Sequence, residues 1–384
     1  MVVTSFENSR VLSGDSDLPV SEVSVEDGVI VGIDSREAKR DQKARVHVFD
    51  GLILMPGFVD VHCHGAVGVD VNTADASELL KVAEFLAKNG VTAWMPTLVP
   101  DQDENYKRAI AAIDDLMELQ TDKPVAQAVG VHYEGVFASE AMCGALRPEY
   151  FKSGRWPVVG GQLPGLKSGV HMTTLAPEVD GGIDLIKDLV ADGWVVSIGH
   201  TRADAATLTH AYDAGARHLT HFFNAMTGVH HRELGVAGWG LANKDVTFDI
   251  IADGVHVAPE MLEMACRVKR ANKVSLISDS VAPTGLGDGE YDLWGEKITV
   301  INGRTQNERG SIAGSVSTLL DGVKTMRLLG FVDVEIAKMA STNPARLLGL
   351  DTRGSIEVGM RADLVGFDRE GNVAFTMIGG EIIA

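Results

Sequence analysis

The sequence predicts an α/β fold: a (β/α)8 TIM-type barrel with a small β-sandwich domain built from both chain termini. Three observations predict it. Eight apolar strand-like runs alternate with amphipathic stretches through the middle of the chain, and short strand-like runs cluster at its two ends. Nearly every central run also ends in a polar group at its C-terminal edge, where such barrels keep their chemistry. The barrel is assigned to residues 56–348 and the small domain to residues 1–55 and 349–384. That leaves roughly 290 residues for a barrel that typically takes about 250.

Taken in order, Ser21–Val25 and Val29–Ile33 read as strands flanking an Asp27-Gly28 turn, a pairing that hairpins favour. Val46–Phe49 and Leu52–Leu54 continue the pattern, and Asp363–Phe367, Val373–Ile378 and Glu381–Ile383 repeat it at the far end. Between them the strand candidates are Gly57–His62, Val91–Thr97, Ala126–Glu134, Val170–Leu175, Trp194–His200, His218–Phe222, Val246–Ile251 and Val274–Asp279. Runs such as VSLIS and VVSIG are apolar almost throughout, as strands buried on both faces are. Helices are expected over Ala76–Lys88, Asn105–Leu119, Ile183–Ala191, Ala203–Ala214, Pro259–Arg270 and Val316–Leu329. In the first of these, Leu79, Leu80, Ala83, Leu86 and Ala87 recur at helical spacing. The connections Gly135–Gly169 and Phe223–Asp245 are long and Gly-rich, and read as loops. A doubly wound open sheet is the runner-up, but no GxGxxG opens a helix.

Composition narrows the function classes. Acidic residues outnumber basic ones by 53 to 34, a formal charge of −19, so nucleic acid and anionic membranes are not expected partners. No run approaches the roughly 20 apolar residues a bilayer crossing needs, and MVVTSFENSR lacks the apolar core of a signal peptide. Cys63, Cys143 and Cys266 are too scattered for a disulfide framework or a metal clip, which fits a cytoplasmic protein.

The chemistry is read from the strand ends. His62 and His64 close the first run, Glu134 the third, His200 the fifth and His221 the sixth; the seventh leads to Asp253 and His256, and the eighth ends at Asp279. A lone strand histidine is more often a satisfied core group than a ligand. Four imidazoles and two carboxylates on one rim would instead carry a heavy desolvation cost without a shared cation. His47, His171, His210 and His218 sit at strand starts, on helices or in the small domain, and read as structural. A cation with imidazole and carboxylate ligands acidifies a water molecule for attack on an amide, and Asp279 is placed to move its proton. His230-His231-Arg232 forms a cationic island in a Gly-rich loop of this acidic chain, suited to a small dianion.

These segments resemble the amidohydrolase superfamily and, within it, the N-acetylglucosamine-6-phosphate deacetylase family. The likeness runs colinearly through PGFVDVHCHGAVGVD (Pro56–Asp70), GVHYEG (Gly130–Gly135), SIGHTRA (Ser197–Ala203), THFFNAM (Thr220–Met226), HHRELGVAG (His230–Gly238), IADGVH (Ile251–His256), ISDSVAPTG (Ile277–Gly285) and RGSIEVGMRADLV, which ends at Val365. The resemblance implies hydrolysis of the acetyl group from a phosphorylated N-acetyl amino sugar. It implies Glu134, His200 and His221 as ligands of a divalent metal, zinc or iron, with His62 and His64 available to a second ion. It also implies Asp279 as general acid/base. Asn224, Ala225, Arg232, His256, Gly135, Ala145 and Leu146 would meet the substrate. A homodimer follows too, with Arg232 reaching the neighbouring active site.

Two departures bear on the substrate. Leu146 stands where the family's histidine contacts the substrate and helps polarise its carbonyl, and Leu offers no hydrogen bond; that role is lost, moved to Arg147, or filled from elsewhere. No Lys ends the fourth strand (HMTTLAPE), so Glu134 would have to bridge two ions. Open alternatives are the galactosamine epimer of the substrate, another N-acyl or cyclic amide, and a barrel without catalysis.

Overall fold

A computed structural model describes residues 2–14, 16–33, 45–156 and 163–383. Eight parallel strands form the barrel: β1 (Phe58–Cys63), β2 (Val91–Leu98), β3 (Gln127–Ala128 continuing as Gly130–Phe137), β4 (Val170–Leu175), β5 (Val195–Ile198), β6 (His218–Leu219), β7 (Thr247–Ile251) and β8 (Val274–Ile277). Each expected strand is present, and the last four, β5 to β8, are shorter than the apolar run that announced them. Each strand pairs with the next in sequence, as short right-handed β/α connections require. Closure comes from β1 and β8, where the Asp279 amide donates to the His62 carbonyl at 2.9 Å and the His64 amide to the Ser280 carbonyl at 2.8 Å.

The same seam holds a buried carboxylate. Asp60 accepts from the His62 and Ser278 amides, each at 3.3 Å, and from the Ser278 hydroxyl at 2.5 Å. Burial still pushes its carboxyl up to about 6, against those hydrogen bonds. Below the rim the barrel is filled by Val59, Val61, Ala93, Met95, Met172, Ile251 and Ile277, with Ala345 and Leu348 of the C-terminal segment packed against them.

The outer layer carries α1 (Ala76–Lys88), α2 (Asp103–Leu119), α3 (Gly182–Ala191), α4 (Ala205–Ala214), α5 (Gly235–Ala242), α6 (Pro259–Lys269) and α7 (Leu319–Leu328), all but α5 expected from the sequence. Asp75 starts α1 with a capping box, accepting from the Ser77 and Glu78 amides while Glu78 returns a bond to the Asp75 amide. Helix α5 was not expected. Its sequence, GVAGWGLA, is Gly-rich and has no apolar stripe, so no helical period announces it. Burial of Val236, Ala237 and Trp239 stabilises it, and Gly240 lets it approach Leu219 and Phe222 so closely that a Cβ there would lie 2.5 Å from Leu219. Also unannounced is a three-stranded antiparallel sheet between β8 and α7: Gly289–Leu293, Glu296–Ile301 and Arg304–Asn307.

The two chain ends join in one separate sheet. Ile53–Pro56 pairs antiparallel with Leu364–Phe367 and parallel with Val2–Ser13, around a core that includes Phe6, Val23, Ile30, Leu54, Leu364 and Phe375. Asp27 and Gly28 have φ of 47° and 79°, the left-handed turn their sequence suggests, and Gly28 packs against Gly379 where a Cβ would meet the Gly379 carbonyl at 2.7 Å. The side chain of His47 lies outside the described residues, as does part of the long connection after β3. Among the described residues no helix is long and apolar enough to cross a membrane.

Replacing Ser278 with Ala should leave the Asp60 carboxylate short of a donor at the seam. A loss of about 1–3 kcal/mol is expected, measured as a lower thermal unfolding midpoint; an unchanged midpoint would contradict the part given to the Ser278 hydroxyl at the seam.

Candidate metal centre

Five strand ends bring six ionisable side chains into one buried cluster at the C-terminal rim. Glu134 projects from β3; His200, His221 and Asp279 follow β5, β6 and β8; His62 and His64 close β1. Each is at most 7% exposed. His200, His221 and Asp279 adopt positive φ, at 48°, 33° and 49°. Non-glycine residues rarely hold such angles, and those that do concentrate where the surroundings force a functional geometry. These turns end the strands early and swing the side chains over the barrel mouth.

The cluster divides into two groups able to hold a cation: Glu134, His200 and His221, and His62, His64 and Asp279. In the first, Glu134 Oε1 lies 3.0 Å from His200 Nε2 and 2.9 Å from His221 Nε2, and the two Nε2 atoms are 3.1 Å apart. In the second, the Nε2 atoms of His62 and His64 are 3.0 Å apart, with Asp279 Oδ1 at 3.5 Å and 3.3 Å from them. Glu134 stands between the groups, since its oxygens also lie 3.5 Å from His62 and 3.3 Å from His64.

Tautomers follow from the surrounding carbonyls. His200 Nδ1 lies 2.8 Å from the Met142 carbonyl and His64 Nδ1 lies 3.1 Å from that of Thr97. A carbonyl only accepts, so Nδ1 carries the proton and the neutral ring turns its Nε2 lone pair inward, the form a metal ligand needs. Without a cation the cluster draws protons instead. Burial opposes charge on His64 and His221, but Asp279 and Glu134 beside the first and Glu134 beside the second outweigh it, pushing them up to about 10 and about 9. Burial would likewise raise Glu134, yet His62, His200 and His221 hold it well below the usual carboxylate range. The donor set therefore fits a shared divalent cation.

His218, read as structural, supports this arrangement together with Asp249 and His132. The Asp249 carboxylate accepts from the His221 amide and meets His218 Nε2 at 3.0 Å, while His218 Nδ1 reaches Thr247 Oγ1 at 2.7 Å. His132, buried and held well below the usual imidazole range by burial and the charge of His62, is neutral and packs edge-on against His62 at 4.7 Å. Asp60 and Asp249 went unnoticed in the sequence because each sits within an apolar run, where an acid resembles an ordinary strand residue.

The cluster opens into a cavity of about 290 Å³. Ala145, Leu146, Asn224, Ala225 and His256 line it, beside Trp294 from the tip of the unannounced sheet. His256 Nδ1 is held by Asp253 Oδ2 at 2.7 Å, leaving its Nε2 without a partner among the described residues. Gly135 does not line the cavity; it lies behind Leu146, and a Cβ on it would meet Leu146 Cδ1 at 2.2 Å. Arg147 does not take over at Leu146, because its guanidinium donates to the Pro100 carbonyl at 2.8 Å, pairs with Asp101 and stacks on Tyr150. Arg232 is exposed and absent from the cavity of its own chain. His171 accepts from the Leu166 amide, a structural use.

Residues 53–383 match the amidohydrolase family. The N-acetylglucosamine-6-phosphate deacetylase of Bacillus subtilis is 33% identical over 371 residues, 94% of this chain and 92% of that protein. The N-acetylgalactosamine-6-phosphate deacetylase of Escherichia coli is 32% identical over 375 residues, 97% of each. Among solved structures, N-acetyl-D-glucosamine-6-phosphate deacetylase from Mycobacterium smegmatis superposes with a TM-score of 0.90 at 29% identity, covering 100% of both chains.

Because His64 and His221 hold protons at pH 7.5 until a cation arrives, zinc uptake at that pH should release protons. Calorimetry in buffers of different ionisation enthalpy measures this; a binding heat independent of buffer would contradict it.

Proposed function

The chain belongs to the amidohydrolase family, and from that membership we propose that it is a metal-dependent hydrolase that removes the acetyl group from N-acetylglucosamine 6-phosphate, giving glucosamine 6-phosphate and acetate. The observation that carries this reading is the meeting of Glu134, His200 and His221 with His62, His64 and Asp279 at the floor of one cavity. Glu134, His200 and His221 would hold the main cation, zinc or iron, and His62 and His64 a second. When bound, a divalent cation supplies an acidified water and polarisation of the amide carbonyl.

The chain's own residues do the rest. Asp279 accepts the proton of the attacking water and delivers it to the amino nitrogen as the C–N bond breaks. Asn224 and Ala225 offer amide groups to the phosphate, and His256, held in place by Asp253, turns its free Nε2 to the sugar. Arg232 serves the cavity of a neighbouring copy in a homodimer, which accords with its exposure in its own chain. Leu146 presents a buried apolar surface to the cavity. The substrate carbonyl therefore receives no hydrogen bond from the Leu146 side chain. We place the small domain in residues 1–55 and 349–384, with the barrel between them.

A second reading, deacetylation of N-acetylgalactosamine 6-phosphate, is favoured by one observation: the Escherichia coli protein of that name matches the chain as extensively as the glucosamine enzymes do. The two substrates differ at one hydroxyl. Acetate release from each, with metal content measured alongside, separates them. Release from neither would end both readings.

Asp279→Asn should keep the fold while slowing turnover by about 100-fold or more, the scale of a lost general acid/base. Wild-type turnover would refute its role. Arg232→Ala should raise KM for the phosphorylated sugar by about 10–100-fold, the equivalent of about 1.5–3 kcal/mol for a charged hydrogen bond. An equal rise for the unphosphorylated sugar would mean that Arg232 does not read phosphate.

A further inference from the structure

Directly beneath the rim a line of buried hydrogen bonds crosses the barrel interior. Ser197 Oγ lies 2.5 Å from Thr220 Oγ1, Thr220 Oγ1 lies 2.7 Å from Thr174 Oγ1, and Thr174 Oγ1 lies 2.8 Å from His132 Nε2. His132 Nδ1 ends the line on the Val61 carbonyl at 3.1 Å. Ser197, Thr220, Thr174 and His132 have no solvent exposure. The line has one sense only. Val61 can only accept, so the proton of the neutral His132 sits on Nδ1 and Nε2 must accept from Thr174. Thr174 then accepts from Thr220, and Thr220 from Ser197.

Its members are placed by more than chance packing. Val61 immediately precedes His62, His132 lies two residues before Glu134, Ser197 three before His200, and Thr220 immediately before His221. Thr174 stands on β4, which contributes no group to the cluster, and bridges β3 to β6. A hydrophobic floor would hold these strands by contact alone. Hydrogen bonds between named atoms fix their relative height, and in a dry interior an unmade link is costly.

We propose that Ser197, Thr220, Thr174 and His132 are positioning residues that set the spacing of the metal ligands on β1, β3, β5 and β6. The proposal rests on the metal reading given above. Outer partners of metal ligands are commonly worth 10–100-fold in affinity. The same range is expected here, although the floor acts through the strands and not by touching the ligating atoms, His62 apart.

The test compares two adjacent threonines. Thr174→Val keeps the side-chain shape and breaks two links. Thr173, equally buried, turns to the other face of β4 and donates to the Tyr133 carbonyl at 3.0 Å, outside the line. Zinc affinity of each purified full-length variant is measured by competition with a chelator, and folding by circular dichroism and thermal melting. Thr174→Val should bind zinc about 10–100-fold more weakly, Thr174→Ser should restore binding, and Thr173→Val should bind as the wild type does. Ser197→Ala, which removes only the first donor, serves if Thr174→Val does not fold and should weaken zinc binding less than tenfold. Equal affinity in Thr174→Val and Thr173→Val, whether both intact or both weakened, would overturn the floor. Wild-type protein that takes up no zinc would instead defeat the metal reading on which it stands.

Discussion

Everything at the rim depends on one electrostatic constraint: six ionisable groups share a dry space too small for their charges to be independent. The Nε2 atoms of His200 and His221, and those of His62 and His64, approach to 3.1 Å and 3.0 Å. Imidazoles so close cannot both carry protons comfortably, and the carboxylates of Glu134 and Asp279 cannot stay ionised without positive charge nearby. One cation, or two, satisfies both demands. The left-handed backbone at His200, His221 and Asp279 is the local strain that brings the groups together, held by a barrel whose strands cannot easily relax.

That constraint explains why the layer beneath is polar where most barrel interiors are aliphatic. Asp60 joins β1 to β8 at the seam, Asp249 holds the His221 amide, and His132 anchors the hydroxyl line below the ligands. Lower down, Val59, Ala93, Met95 and Ile251 return the interior to ordinary packing. Above the cluster the cavity wall changes character again. Leu146 and Trp294 make part of it apolar, and the loop carrying Leu146 is fixed by Arg309 donating to the Ala145 carbonyl at 3.0 Å. The ionisable cluster is thus placed by the strands, whereas the cavity wall above it comes from loops and from the sheet inserted after β8.

Much of this was legible in the sequence, for identifiable reasons. Strands buried on both faces leave long apolar runs, so all eight barrel strands could be found, and a polar residue ending such a run is conspicuous, as Glu134, His200 and Asp279 were. Helix α1 could be placed to the residue because Leu79, Leu80, Ala83, Leu86 and Ala87 recur at helical spacing. Helix α5 could not, since tertiary burial and close Gly240 packing sustain it without a pattern of its own. The hairpins that bring Trp294 to the cavity alternate weakly, and nothing local says that their tip turns inward. His218 looked structural and is so, but its bond to Asp249 links it to His221, a connection only the folded chain reveals. Arg232 keeps the role given it by resemblance as a proposal, because one chain alone does not bring it to the cavity.

The most direct test is anomalous diffraction at the zinc absorption edge from crystals of the metal-loaded protein. A peak enclosed by Glu134, His200 and His221, at about 2 Å from their ligating atoms, is expected. Crystals that bind zinc only elsewhere on the protein, with those three side chains hydrogen-bonded solely to one another, would contradict it.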